Sequence, residues 1–316
     1  MNPYVFIVGC PRSGTTLLQR MVDAHPEIAI IHETHWIPKL FKRRKGVTNE
    51  GLVTAELLPA LLSQGRVPDL GIEPEEVERL IAENDSLSYK DLVTALFDLY
   101  GDKRGKRLVG DKTPGYTRAI ETLHELWPAA KFVHMIRDGR DVCLSAINWH
   151  RRADHFRRRF STWDEDPITT AALWWRWHVL CGRMGMPLGA ERYYELRYEA
   201  LVDDPEGECT RLCAFLGLRF DEAMLRFHEG HTRSEPGLSA KHAWLPPTAG
   251  LRNWRTEMPS RAIERFETAA GDLLDDLGYE RAATKPRGDC LEQVAMITRR
   301  FREDSPSPKR PLPRGL

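Results

Sequence analysis

The sequence carries no net charge: 46 lysines and arginines balance 46 aspartates and glutamates over 316 residues. Nothing global therefore argues for a nucleic-acid partner, and none is expected. No run of 18 apolar residues occurs, so no membrane-spanning helix is expected. The start, Met1-Asn2-Pro3-Tyr4, has neither a basic leader nor a small-residue cleavage site. The expectation is a soluble, cytoplasmic protein. Six cysteines, at 10, 143, 181, 209, 213 and 290, form no Cys-x-x-Cys pair. Cys209 and Cys213 are four apart with no His pair nearby, so all six read as reduced packing thiols and no metal site is predicted. There is no internal repeat. The stretch from Ser305 to Arg314 is too rich in proline for regular secondary structure and reads as a tail.

With 41% hydrophobic residues, the chain can bury a large core. Short apolar runs predict buried strands at Val5 to Val8, Ile28 to Ile31, Arg107 to Val109, Phe132 to Ile136 and Tyr193 to Leu196. Helix-length segments separate them. The fold class is α/β: a P-loop-like parallel sheet flanked by helices. Residues 36 to about 105 are rich in Leu, Ala, Glu and Lys and read as a helical insertion after the second strand. Within it, helices are predicted at Thr54 to Leu62, Pro74 to Ile81 and Lys90 to Leu99, with Pro74 at a first helical position. A helix over 168–185 should bury one face carrying Leu173, Trp174, Trp177 and Leu180. A further helix is expected over Ser260 to Leu277. We divide the chain into one domain over 1–284 and a C-terminal helix with its tail over 285–316.

The first strand runs into Gly9-Cys10-Pro11-Arg12-Ser13-Gly14-Thr15-Thr16, and Leu17, Leu18, Met21 and Val22 follow on one helical face. Strand, glycine-rich turn and helix N-terminus make a phosphate-cradling layout. The Lys that a nucleoside-triphosphate loop places before its last Ser/Thr is Thr15 here, and the cation is Arg12, inside the loop. Backbone N–H groups from Ser13 to Thr16, the Thr15 and Thr16 hydroxyls and a bidentate Arg12 would hold an anion.

A second strand-turn-helix unit reads Lys131-Phe132-Val133-His134-Met135-Ile136-Arg137-Asp138-Gly139-Arg140-Asp141-Val142-Cys143-Leu144-Ser145. Arg137 ends the strand, at the edge where open α/β sheets bind ligands. Asp138 suits the helix N-cap. Ser145 lies about two turns into the helix, on the side of Arg137. The competing reading of Arg137, Asp138, Arg140 and Asp141 is a surface ion-pair net.

Together these two segments resemble the sulfotransferases that use 3′-phosphoadenosine 5′-phosphosulfate. The likeness continues through Tyr194-Glu195-Leu196-Arg197-Tyr198-Glu199-Ala200-Leu201, Asp204-Pro205-Glu206 and Leu212-Cys213-Ala214-Phe215-Leu216-Gly217. Asp23-Ala24-His25-Pro26-Glu27 and Glu33-Thr34-His35-Trp36-Ile37-Pro38 are most similar to the tyrosylprotein sulfotransferases and their bacterial relatives. The resemblance implies a metal-free transfer of the sulfuryl group to an acceptor hydroxyl. It implies that Pro11 to Thr16 hold the 5′-phosphosulfate, and that Arg137 and Ser145 grip the 3′-phosphate. Glu33 would be the general base, and Lys112, in Val109-Gly110-Asp111-Lys112-Thr113-Pro114, would stabilise the departing phosphate with Arg12. Position alone also favours Glu33, which follows the second strand at the same sheet edge as the first loop. His32 and His35 are rival bases.

A late segment, Ser239-Ala240-Lys241 to Gly250-Leu251-Arg252-Asn253-Trp254-Arg255, resembles the part that closes over the nucleotide. Arg252 or Lys241 would add to the 3′-phosphate site and Ser239 would touch the sulfuryl end. Tyr198 would either stack near adenine or serve as a core tyrosine. Where the tyrosylprotein relatives carry Arg after the Thr, this chain has His35, which leaves the acceptor open among tyrosyl, phenolic, glycan and lipid hydroxyls. The basic runs Lys42 to Lys45 and Arg151 to Arg159 would favour an acidic acceptor if they line the cleft. Oligomeric state stays open, a homodimer included. Two other readings compete: a small-molecule kinase with a degenerate phosphate loop, using Asp138, and a nucleotide-binding protein without catalysis.

Overall fold

The computed structural model describes residues 2–84, 86–150, 160–229, 246–248, 252–282 and 285–304. Five strands form the sheet: β1 (Val5–Gly9), β2 (Ile28–His32), β3 (Leu108–Lys112), β4 (Lys131–Ile136) and β5 (Tyr193–Arg197). Their order is β2-β3-β1-β4-β5, and every pairing is parallel. All five C-terminal ends therefore share one edge. Register aligns them: His32 of β2 pairs with Lys112 of β3, and Lys112 with Ile7 of β1.

Alternation along the strands builds two layers. Val5, Ile7, Ile28, Ile30, Val133 and Met135 face the helix Thr15–Asp23, which buries Leu17, Leu18, Met21 and Val22 as its periodicity predicts. Phe6, Val8, Ala29, Ile31 and Phe132 face the opposite layer, supplied largely by residues 36–105. The insertion thus covers one face of the sheet. Its helix Tyr89–Asp102 brings Phe97 against Trp127, with ring centroids 5.9 Å apart and stacked. The predicted helix from Thr54 begins only at Leu57, because the Leu57 N–H turns back to the Thr54 carbonyl.

The helix Pro167–Arg183 departs from its predicted single apolar face. It is buried continuously from Thr169 to Val179. The helices Gly139–His150, Ser260–Asp276 and Gly288–Glu303 all pack against it. The segment set apart at 285 folds onto this same core: Phe301 stacks on Phe160 at 4.3 Å, and Asp304 accepts the Ser161 N–H at 2.8 Å. The run Arg151 to Arg159 and the tail from Ser305 lie outside the described residues.

Candidate active site

The first loop leaves β1 at Gly9 and tightens at once, the Ser13 N–H donating to the Cys10 carbonyl at 3.1 Å. That bond takes Ser13 N–H from the set of anion donors expected from the sequence. The first-turn amides of the helix from Thr15 remain, having no intrahelical acceptor. The Ser13 hydroxyl is buried and has no hydrogen-bond partner among the described residues. Gly14 has φ 97°, and a Cβ there would lie 2.4 Å from Cδ2 of Tyr198. Only glycine fits that contact. No acidic side chain occupies the helix's first turn, so its dipole is free to meet an anion.

Three guanidinium groups converge on this loop. Burial lowers the pKa of Arg12, and the charges of Arg252 and Arg137 push it the same way, with Glu33 opposing. Like charges held together in a partly desolvated place call for an anion between them. Arg12 Nε donates to Ser145 Oγ at 3.0 Å, tying the first loop to the second segment. Arg137 lies over the Tyr198 ring, 4.1 Å from its centroid, and 3.6 Å from Asp141. Its Nε is buried without a partner among the described residues. Tyr198 thus carries Arg137 on its face and Gly14 at its edge. Arg252 reaches Glu257 at 3.6 Å. Ser239 and Lys241 lie outside the described residues.

The charges of the second segment are not a solvated net. Asp138 caps its helix, accepting the Arg140 N–H at 2.9 Å. Its oxygens also hold the Arg140 side chain, which is buried and reaches Glu267 at 2.6 Å. Both Asp138 oxygens are thus engaged by Arg140, which makes the carboxylate a cap and an ion-pair partner. Asp141 accepts the Trp254 N–H at 2.9 Å, fastening the late segment beside Arg137.

At the other side of the loop stands the pair Glu33 and Lys112. Lys112 is the last residue of β3, within the strand and not beyond it, and is fully buried. Its ammonium donates to Glu33 Oε1 at 2.6 Å and lies 3.5 Å from Thr16 Oγ1. Burial lowers the Lys112 pKa, and Glu33 opposes that shift. Burial works against the Glu33 charge, but the His35 hydrogen bond and Lys112 outweigh it, holding the carboxyl well below its usual range. His35 Nε2 is 3.1 Å from Glu33 Oε2. His32 is pushed down to about 4 by burial and by Lys112. Its Nδ1 meets Gln19 Oε1 at 2.9 Å, while Gln19 Nε2 donates to the Ile30 carbonyl. Neutral His32 is thereby a donor at Nδ1.

Five non-glycine residues have positive φ among those described, and Arg12 (78°), Glu33 (50°) and His35 (54°) are three of them. Each such conformation costs about 1–3 kcal/mol, and such residues cluster where function requires them. Beneath Glu33 lies a residue the sequence reading passed over. Asp111 is fully buried and accepts the Thr34 N–H at 3.2 Å. Burial pushes its carboxyl up to about 6. Its signal was available: a carboxylate inside the apolar strand Leu108-Val109-Gly110-Asp111-Lys112.

A folded-state pKa above the unfolded value makes the native state bind the proton first, so this group adds stability as pH falls. Asp111→Asn is therefore expected to stabilise the protein at pH 8 by on the order of 1–3 kcal/mol. The advantage should shrink as pH falls through about 6 and vanish below the unfolded carboxyl pKa of about 3.9. Urea midpoints across that range check this. A parent more stable than the Asn variant at pH 8 would contradict it.

Among the described residues, no group of three His, Cys, Asp or Glu side chains gathers to hold a metal ion. No helix among them is long and apolar enough to cross a membrane.

The parallel sheet, the glycine-turned anion loop at its edge and the cations around it define an α/β transferase of the phosphate-loop kind. The chain belongs to the sulfotransferase family, whose sequence profile matches residues 3–222. Protein-tyrosine sulfotransferase A of Caenorhabditis elegans is 27% identical over 311 residues, which cover 94% of this chain and 73% of that protein. Nodulation protein NoeE of Sinorhizobium fredii is 26% identical over 329 residues, covering 94% of this chain and 71% of its own. The solved sulfotransferase domain of the Synechococcus PCC 7002 olefin synthase superposes with a TM-score of 0.62 at 26% identity, covering 89% of this chain and 96% of that one. Mouse sulfotransferase SULT7A1, solved in complex with PAP, shares the fold at a TM-score of 0.50 and 14% identity, covering 93% of this chain and 88% of its own. The protein is an enzyme of sulfuryl transfer.

Proposed function

We propose that the donor is 3′-phosphoadenosine 5′-phosphosulfate and that Glu33 and Lys112 carry the transfer to an acceptor hydroxyl. The observation behind this reading is the buried Lys112 ammonium, 2.6 Å from Glu33 and 3.5 Å from Thr16 of the anion loop. One group touches both the candidate base and the loop that would hold the phosphosulfate. Arg12, the amides from Gly14 to Thr16 and the Thr hydroxyls would cradle the 5′ end. Arg137, Ser145 and Arg252 would take the 3′-phosphate, and Tyr198 would support Arg137. The residues fit a ligand with an anionic group at each end: the Ser13 hydroxyl and Arg137 Nε are buried donors awaiting an acceptor.

The donor supplies a sulfuryl group on a phosphate leaving group. Glu33 takes the proton of the attacking hydroxyl as the new oxygen–sulfur bond forms. Lys112 neutralises the 5′-phosphate oxygen as its bond to sulfur breaks. These roles are coupled. As charge grows on the leaving oxygen, Lys112 turns toward it and loosens its hold on Glu33, whose basicity then rises when the proton arrives. Arg12 balances the transferring oxygens.

The acceptor is a tyrosyl, phenolic, glycan or lipid hydroxyl. The cytoplasm suits six cysteines that are all buried. Calorimetry with adenosine 3′,5′-bisphosphate, then a labelled-sulfate screen of acceptors, tests the reading. No affinity for the bisphosphate would overturn it. Arg137→Ala is expected to weaken the bisphosphate by about 10–100-fold, the worth of charge-assisted hydrogen bonds to a phosphate. Unchanged affinity would remove Arg137 from the 3′ site.

A further inference from the structure

We infer that Tyr116, with Asp111 and Thr34, is a positioning device that holds Glu33 in register for proton transfer; this rests on reading Glu33 as the base. The turn from Glu33 to Ile37 is pinned from below at the Glu33, Thr34 and Ile37 N–H groups and the Ile37 carbonyl. The Glu33 N–H donates to the Lys112 carbonyl at 2.9 Å. The Thr34 N–H donates to Asp111 Oδ2. Tyr116 accepts the Ile37 N–H at 3.2 Å, and its hydroxyl lies 2.7 Å from Thr34 Oγ1. The phenol therefore joins the Ile37 N–H and the Thr34 hydroxyl, and either oxygen of the Tyr116–Thr34 pair can be the donor. The Tyr89 hydroxyl donates to the Ile37 carbonyl at 2.8 Å.

Thr34, Asp111 and Tyr116 are all buried, whereas Glu33 and His35 on either side of Thr34 project outward in left-handed conformations. Neither Glu33 nor His35 would choose that backbone alone. Alternation of anchored Thr34 with two flanking strained residues sets the direction of the Glu33 carboxylate toward Lys112. Tyr116 follows Lys112 by four residues, so one short segment supplies both the ammonium that contacts Glu33 and the phenol that fixes its turn. A catalytic group displaced by about 1 Å can lose about 10²-fold in rate.

The test uses Tyr116→Phe in the full chain, with water as the acceptor probe and release of adenosine 3′,5′-bisphosphate from the phosphosulfate donor as the rate. The rate is expected to fall about tenfold, with donor KM and bisphosphate affinity changed less than about twofold. Amide exchange of the peptide spanning 33–37 should quicken. In a Glu33→Gln background the same substitution should cost less than about twofold, since the group it positions is gone. An equal loss in both backgrounds, or bisphosphate affinity falling in step with the rate, would overturn the proposal. So would an unchanged rate with unchanged exchange. If Glu33→Gln alone keeps the full rate, the base assignment itself has failed. Quickened exchange in that case would identify Tyr116 as an anchor of the turn without a catalytic consequence, which also overturns the inference. Should Tyr116→Phe fail to fold, Thr34→Val removes the same hydroxyl contact at nearly constant volume and is read by the same criteria.

Discussion

Lys112→Met is expected to slow sulfuryl transfer by about 10²–10³-fold, the usual effect of removing one preorganised charge stabiliser from a transition state. Affinity for the phosphosulfate donor should change less than affinity for adenosine 3′,5′-bisphosphate, whose free 5′-phosphate already carries the charge that the lysine meets. The substitution also strips Glu33 of its closest cation. Its carboxyl pKa should then climb toward the normal range, and an acid limb absent from the parent should enter the pH–rate profile. The parent profile should show no such limb between pH 8 and 5, since Glu33 is held ionised well below that window. Single-turnover rates across pH check both points. A loss under about tenfold, with no new acid limb, would remove Lys112 from the reaction.

Glu33→Gln carries the second large effect. A general base contributes about 10²–10⁴-fold, and the amide has no basic site at neutral pH. Gln nearly preserves volume, so donor binding should persist while transfer collapses. Two histidines flank this position as rival bases. Neutral His32 donates from Nδ1 to Gln19, and His35 contacts Glu33 Oε2. If His35 were the base, Glu33→Gln would cost little and His35→Ala would take the large loss. Comparing kcat for the two variants separates Glu33 from His35.

How far the sequence could be read depended on periodicity. The strands, the anion loop and the helix carrying Leu17, Leu18, Met21 and Val22 were legible because hydrophobic spacing changes from a strand period to a helix period at Gly9 to Thr15. Arg12, Glu33, Lys112 and Arg137 were legible as candidates because each ends or follows a strand whose partners share one edge, whereas Ser145, about two turns into its helix, was legible through the family resemblance. Tertiary placement was not legible. All-round burial of Pro167–Arg183 depends on three helices distant in sequence. Nothing in the identity of Glu33 or His35 announces a left-handed backbone, which tertiary hydrogen bonds impose. Tyr116 escaped for a related reason: a polar group that finds its partners inside a core leaves no period of its own. Asp111 did leave a signal, a carboxylate within an apolar strand. The Ser13 N–H was assigned to the anion because the loop's internal turn cannot be counted from glycine spacing alone.

Arg12 bonded to Ser145, and Tyr198 wedged between Gly14 and Arg137, together make a gauge of length. With the 5′ and 3′ ends assigned as proposed, both struts span the two ends of the ligand site, and the interval between its anion positions is built into the scaffold before any ligand arrives. A nucleotide with phosphates on both its 3′ and 5′ oxygens can satisfy both ends at once. A nucleoside triphosphate, with all its charge on the 5′ side, satisfies one end and leaves Arg137 with Asp141 at 3.6 Å and its buried Nε without a partner among the described residues. Discrimination against the most abundant cellular nucleotide would then come from an unmet demand at the far end, with no need for a clash at the near one.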